Sequence, residues 1–91
     1  MTTGLRTNLQ CILTELPDGT GVVLHLGTKH YFTLNAAGVF VWKQLSQTEA
    51  RPESHIVRRL LEAFDVDADR AAADVTSVVA ELVADDLLVA A

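Results

Sequence analysis

The hydrophobic period of this chain changes once, from two residues to about 3.6, close to Asn35. Before that point apolar side chains alternate. From Asn8 onward Leu9, Cys11 and Leu13 interleave with Gln10, Ile12 and Thr14, which predicts a strand with one fully apolar face. Leu16-Pro17-Asp18-Gly19-Thr20 follows; Pro17 presets φ and Gly19 permits positive φ, so the chain reverses in a short hairpin loop. In the next strand Val22, Leu24 and Leu26 point one way, and Val23 and His25 the other. Gly27-Thr28-Lys29 has the length and the glycine of a second hairpin loop, which puts Leu26 opposite His30. The third strand, His30 to Leu34, turns Phe32 and Leu34 to the core and leaves Tyr31 and Thr33 on the open side. Met1 to Thr7 shows no period and reads as a frayed start.

Beyond Asn35 the spacing is helical. Asn35 is placed to cap a first helix over Ala36 to Gln47, whose stripe is Ala37, Phe40, Val41 and Leu45 with Trp42 beside it. After a polar stretch, Pro52 suits the first position of a second helix that runs to about Phe64. Ile56, Val57, Leu60, Leu61 and Phe64 form its apolar side, with Arg58, Arg59 and Glu62 towards water. Asp67 then caps a third helix over Ala68 to Ala84. Ala71, Val75, Val78 and Leu82 make one stripe on it, Ala72, Thr76, Val79 and Val83 a second beside it, and Arg70, Asp74, Ser77, Glu81 and Asp85 lie opposite. The apolar arc is roughly 160° wide against the ~100° that burial of a surface helix requires, so the small second stripe is surplus to the core. Leu87-Leu88-Val89 folds back as an apolar tail. The pattern predicts one α+β domain over residues 1–91: an N-terminal three-stranded antiparallel sheet, then a three-helix bundle, in a winged helix-turn-helix-like arrangement.

Composition narrows what such a domain does. With 91 residues, 49% of them apolar, there is material for one core and little for an elaborate catalytic cleft. Seven basic against twelve acidic side chains give a formal charge of −5, which disfavours nucleic acid and anionic membranes as partners. A winged-helix transcriptional regulator, the alternative from another functional class, needs cations on its third helix; here Asp74, Glu81 and Asp85 face a single Arg70. A lone Cys11, no signal segment and no apolar run of membrane-spanning length point to a soluble protein of a reducing cytoplasm.

The candidate chemistry is thin. Asp65-x-Asp67-x-Asp69 opens like a calcium loop, but Arg70 stands where the loop needs Gly and Thr76 where it needs a bidentate Glu, so these aspartates read as helix caps. Of His25, His30 and His55 only the first two become neighbours, across a hairpin, and all three read as surface residues. Cys11 among Leu9 and Leu13 reads as a small core side chain. The chain is therefore read as non-catalytic, with neither metal nor cofactor.

Recognition is the role left open. A strand that closes a meander keeps one side unpaired, and His30, Tyr31, Phe32, Thr33 and Leu34 form such an edge. The expected ligand is an extended peptide whose side chains enter a groove against Ala72, Val75, Thr76, Val79, Ala80 and Val83 of the third helix. Two charged surfaces outside that groove are candidates for a second partner: Asp74 with Glu81, and Arg58 with Arg59.

Val23-Leu24-His25-Leu26, then His30-Tyr31-Phe32-Thr33-Leu34-Asn35, Gly38 and Trp42, then Leu60 to Phe64-Asp65-Val66-Asp67, Asp74-Val75 and Leu82, together resemble the PqqD-like family of RiPP precursor recognition elements. The Ala71-Ala72-Ala73-Asp74-Val75 segment and the stand-alone length are most similar to the recognition subunit of lasso-peptide biosynthesis. The resemblance implies that the chain binds a precursor's leader peptide as an added strand and delivers it to a separate leader peptidase, with a cyclase of the same pathway as a further partner. The alternative it implies is a peptide carrier for pyrroloquinoline quinone or another radical-enzyme pathway.

Overall fold

The computed structural model describes residues 4–90. Its elements are β1 (Gly4–Thr7), β2 (Cys11–Glu15), β3 (Gly21–His25), β4 (His30–Leu34), α1 (Ala36–Lys43), β5 (Arg51–Pro52), α2 (Glu53–Ala63), α3 (Ala68–Ala84) and β6 (Leu88–Ala90). The α+β class is as expected, and the strands of the main sheet precede the helices, but β5 falls between α1 and α2 and β6 after α3. The alternating stretch makes the antiparallel sheet β2-β3-β4, in which β4 is an edge. Leu13, Val23 and Phe32 lie side by side in register on the core face, while Ile12, Leu24 and Tyr31 form the matching row on the other.

The two hairpin loops differ in how they turn. In the first, Gly19 takes φ of +89°, its N–H donates to the Leu16 carbonyl at 3.1 Å, and Asp18 accepts from the backbone and hydroxyl of Thr20 at 3.0 and 2.6 Å. Those Thr20 bonds hold the Asp18 carboxyl below its usual range. In the second, His25 and not Leu26 pairs with His30, so the loop is one residue longer than expected. Lys29, and not the loop's Gly27, is left-handed, at φ 63°, and its N–H donates to the His25 carbonyl at 2.7 Å.

Part of the supposedly frayed start is ordered: Met1 to Thr3 lie outside the described residues, whereas Gly4–Thr7 form β1 at the centre of a second sheet, β5-β1-β6. Leu5 and Thr7 are buried there, an alternation too short to show as a period. The apolar tail supplies β6, pairing Thr7 with Leu88, and both Leu87 and Leu88 are buried. Asn8 to Gln10 form a turn, so the first strand of the main sheet starts at Cys11 and Leu9 is exposed. The first helix stops at Lys43, short of Gln47, because the Ser46 carbonyl is taken by the Thr7 N–H at 3.0 Å, drawing the chain towards β1. Pro52 precedes α2 as its cap residue and belongs to β5.

Helix α3 has the predicted limits, and Asp67 caps it by accepting from the Arg70 N–H at 3.2 Å. Its stripes divide differently from expectation. Val79 is buried in the core, whereas Val78 only packs partly against it. At its C-terminus the Leu87 N–H reaches the Leu82 carbonyl at 2.9 Å and the Asp86 N–H the Val83 carbonyl at 3.0 Å, a Schellman stop with Asp86 in the left-handed position at φ 61°. Leu82 and Leu87 make the accompanying apolar contact position, both buried.

Candidate functional site

Edge and helix meet at Asn35. Its side chain accepts from the Gly38 N–H at 2.9 Å, so β4 passes into α1 without a loop. Among the described residues β4 pairs only with β3, which leaves the alternate N–H and C=O groups of its other side free. Along that edge His30, Tyr31 and Thr33 are exposed, Phe32 is half-buried and Leu34 is buried. The His30 ring stands edge-on to Phe32 with centroids 6.5 Å apart.

Directly after β4 an apolar hollow of about 280 Å³ opens between the helices, walled by Ala36, Ala37, Phe40 and Val41 of α1, Leu60 and Phe64 at the end of α2, and Asp74, Val75 and Val78 of α3. Phe40 and Phe64 meet edge to face across it at 5.5 Å, and Phe64 remains 52% exposed, far too much for a core aromatic. A second, more polar hollow adjoins it at Phe40 and is lined by Gln44, Arg59, Glu62 and Ala63.

Of the α3 residues expected in the groove, Val75 lines this hollow, Ala72 is half-buried, Val79 is in the core, and Thr76, Ala80 and Val83 are exposed elsewhere. Thr76 donates to the Glu53 carboxylate at 3.0 Å and so faces the start of α2. Both flanks of the α3 arc are partly open: Thr76, Ala80 and Val83 are exposed on one, and Asp74 with half-buried Val78 borders the hollow on the other. Asp74 thus borders the hollow, and Arg70 stands 4.0 Å from its carboxylate. Glu81 and Arg58 are exposed, whereas Arg59 is held by Glu62 at 3.1 Å and Gln44 at 3.4 Å. Phe64 was legible as a groove residue in one respect: it ends the apolar side of α2 where the next residues, Asp65-Val66-Asp67, leave nothing to cover it.

Elsewhere the polar chemistry is structural. His25 is buried, not on the surface; its Nδ1 accepts from the Thr28 N–H at 3.2 Å, so Nε2 carries the proton and donates to Asp86 at 3.1 Å. Asn8 donates to the Asp86 carbonyl at 2.8 Å. Burial, and then the Asp86 carboxylate, push the Cys11 thiol up, the opposite of what a nucleophile needs. No three His, Cys, Asp or Glu side chains converge as a metal site among the described residues. No helix described is long and apolar enough to cross a membrane.

The family model of coenzyme PQQ synthesis protein D (PqqD) matches residues 20–88, from the first hairpin to β6. The chain belongs to the PqqD family. Among curated proteins none matches the sequence. Two solved structures share the fold of this PqqD-family protein. TbiB1 in complex with the TbiA(beta) leader peptide superposes with a TM-score of 0.77 at 25% identity, covering 91% of this chain and 93% of that one. Lasso peptide synthetase B1 complexed with the leader peptide gives 0.75 at 16% identity, over 94% and 98%.

Proposed function

We propose that this PqqD-family protein is a non-catalytic recognition element that binds the leader peptide of a ribosomally made precursor, of the lasso-peptide kind, as a strand added to β4. The observation that carries the reading is the continuity of a free strand edge with an apolar hollow at its end. The edge supplies backbone hydrogen bonds of ~1 kcal/mol each whatever the sequence, and the hollow supplies selectivity for apolar side chains. The leader peptide held by TbiB1, similar over nearly its full length, supports it. The description of the family model favours a second substrate, the precursor of pyrroloquinoline quinone, for the same edge.

Cleavage belongs to a separate leader peptidase, in a cytoplasmic pathway, with a cyclase acting later. The peptidase needs a second surface. With Asp74 drawn into the groove, the two charged candidates reduce to Glu81 and to Arg58 with Arg59. The outer row Ile12, Leu24 and Tyr31 is a third: Ile12 is 52% and Tyr31 72% exposed, on either side of half-buried Leu24. We assign peptidase docking to that row, since apolar area of this kind has no use in the free chain.

Amide exchange tests the reading. On titration with the leader segment of the precursor encoded beside its gene, exchange should slow across β4, with smaller changes in β2. Protection confined to α2 and α3 would remove the strand-addition mechanism. Binding of the pyrroloquinoline quinone precursor in preference to that leader would move the protein to the second pathway.

A further inference from the structure

We propose that the groove reads two features of the bound peptide together: an apolar side chain in the hollow after β4, and a carboxylate held by Arg59 two to four residues away. This rests on the leader-binding reading and adds a specificity-determining residue to it.

The argument starts from α1. Ala36, Phe40 and Gln44 succeed one another at intervals of four, so they form a single ridge along the helix. Ala36 and Phe40 wall the apolar hollow, and Phe40 and Gln44 wall a polar one of about 210 Å³. On α2 the two hollows face neighbouring ridges at the same height: Leu60 and Phe64, four apart, wall the first, and Arg59 and Ala63, also four apart, wall the second together with Glu62. The two hollows are therefore one trough between these helices, pinched at Phe40. From Ala36 to Gln44 the ridge rises ~12 Å, the length of three or four extended residues.

Arg59 is fixed in place at the polar end. Its Nη1 donates to Glu62 at 3.1 Å and its Nε to Gln44 Oε1 at 3.4 Å, yet the side chain is 52% exposed. A guanidinium has five N–H donors, so ~three stay available for a second carboxylate. The surroundings are positive in a chain of net charge −5. Arg58 makes no ion pair among the described residues, and burial followed by the fields of Arg51, Arg58 and Arg59 pushes His55 down. Glu62 opposes this field and sets its limit. An acidic peptide group fits this end of the trough better than a neutral or basic one.

A library of random 12-residue peptides, selected against the full chain and against Arg59→Glu, tests the assignment. Peptides enriched by the unaltered chain should share an apolar position with Asp or Glu two to four residues from it. Arg59→Glu should keep the apolar position and replace the acidic one by Lys or Arg. In a selected peptide, changing the acid to its amide should weaken binding about tenfold in the unaltered chain and leave Arg59→Gln unaffected. Enrichment of the apolar position alone, or the same acidic preference in Arg59→Glu, would overturn the Arg59 subsite and leave leader binding standing. No enrichment by the unaltered chain would overturn leader binding, and the subsite with it. Thermal unfolding of both variants, on a partly exposed side chain, separates misfolding from changed specificity.

Discussion

Asp86 decides whether the sheet that carries β4 stays fixed to the end of α3, and its substitution gives a measurable test. The residue occupies the left-handed position of the helix stop at φ 61°, where glycine is ordinarily favoured. Its carboxylate accepts from buried His25 at 3.1 Å, and its carbonyl accepts from Asn8. Two effects therefore oppose each other. Glycine at 86 relieves roughly 1 kcal/mol of backbone strain but strands the His25 N–H, a penalty of ~1–3 kcal/mol because His25 is only 3% exposed. Asp86→Gly should thus destabilise by ~0–2 kcal/mol, and Asp86→Ala, which keeps the strain and loses the acceptor, by ~1–3 kcal/mol. Asp86→Asn tolerates the left-handed region and retains an acceptor oxygen, so its change should stay under ~1 kcal/mol. Urea unfolding followed by far-UV circular dichroism measures the series. A glycine variant more stable than the parent would falsify the claim that the His25 bond outweighs the strain. Equal losses for Asn and Ala would show that the acceptor contributes nothing.

Two further perturbations separate core from surface. Val79→Glu buries a carboxylate in the core and should unfold the chain or cost more than ~3 kcal/mol, whereas Phe64→Ala, on a half-exposed ring, should cost ~1 kcal/mol and weaken leader binding about tenfold or more; urea melts paired with peptide titration distinguish them. Ile12→Lys on the outer sheet row should leave leader affinity unchanged and slow cleavage by the peptidase, an outcome read by comparing precursor processing with peptide titration; unchanged processing would return docking to Arg58 or Glu81.

The parts of the fold visible in sequence were those specified by local chemistry. Asn35 and Asp67 cap helices by bonding amides three residues on, and Pro17-Asp18-Gly19 turns the chain by its own φ preferences. Each needs no distant partner. What stayed hidden depends on contacts far apart in the chain. β1 is too short for its alternation to register, and it exists because Leu88 comes back to pair with Thr7. The early end of α1 likewise follows from a bond between Ser46 and Thr7.

The proposed binding groove lies between these cases. The period of α3 showed an apolar arc wider than burial needs, yet a helical wheel has no handedness with respect to its neighbours. Which flank borders the hollow is settled by the short Asp65-Val66-Asp67 connection, after which α3 packs back along α2 with Thr76 against Glu53 and Val79 inside. The flank that borders the hollow is that of Val75 and Val78, opposite Phe40. The same packing leaves Phe64 without a cover, because α2 ends one residue before it. A half-exposed phenylalanine beside a half-buried valine is a poor way to finish a core. It is a good way to keep an apolar seat open at the end of a strand edge, which is why the groove is assigned to the peptide and not to loose packing.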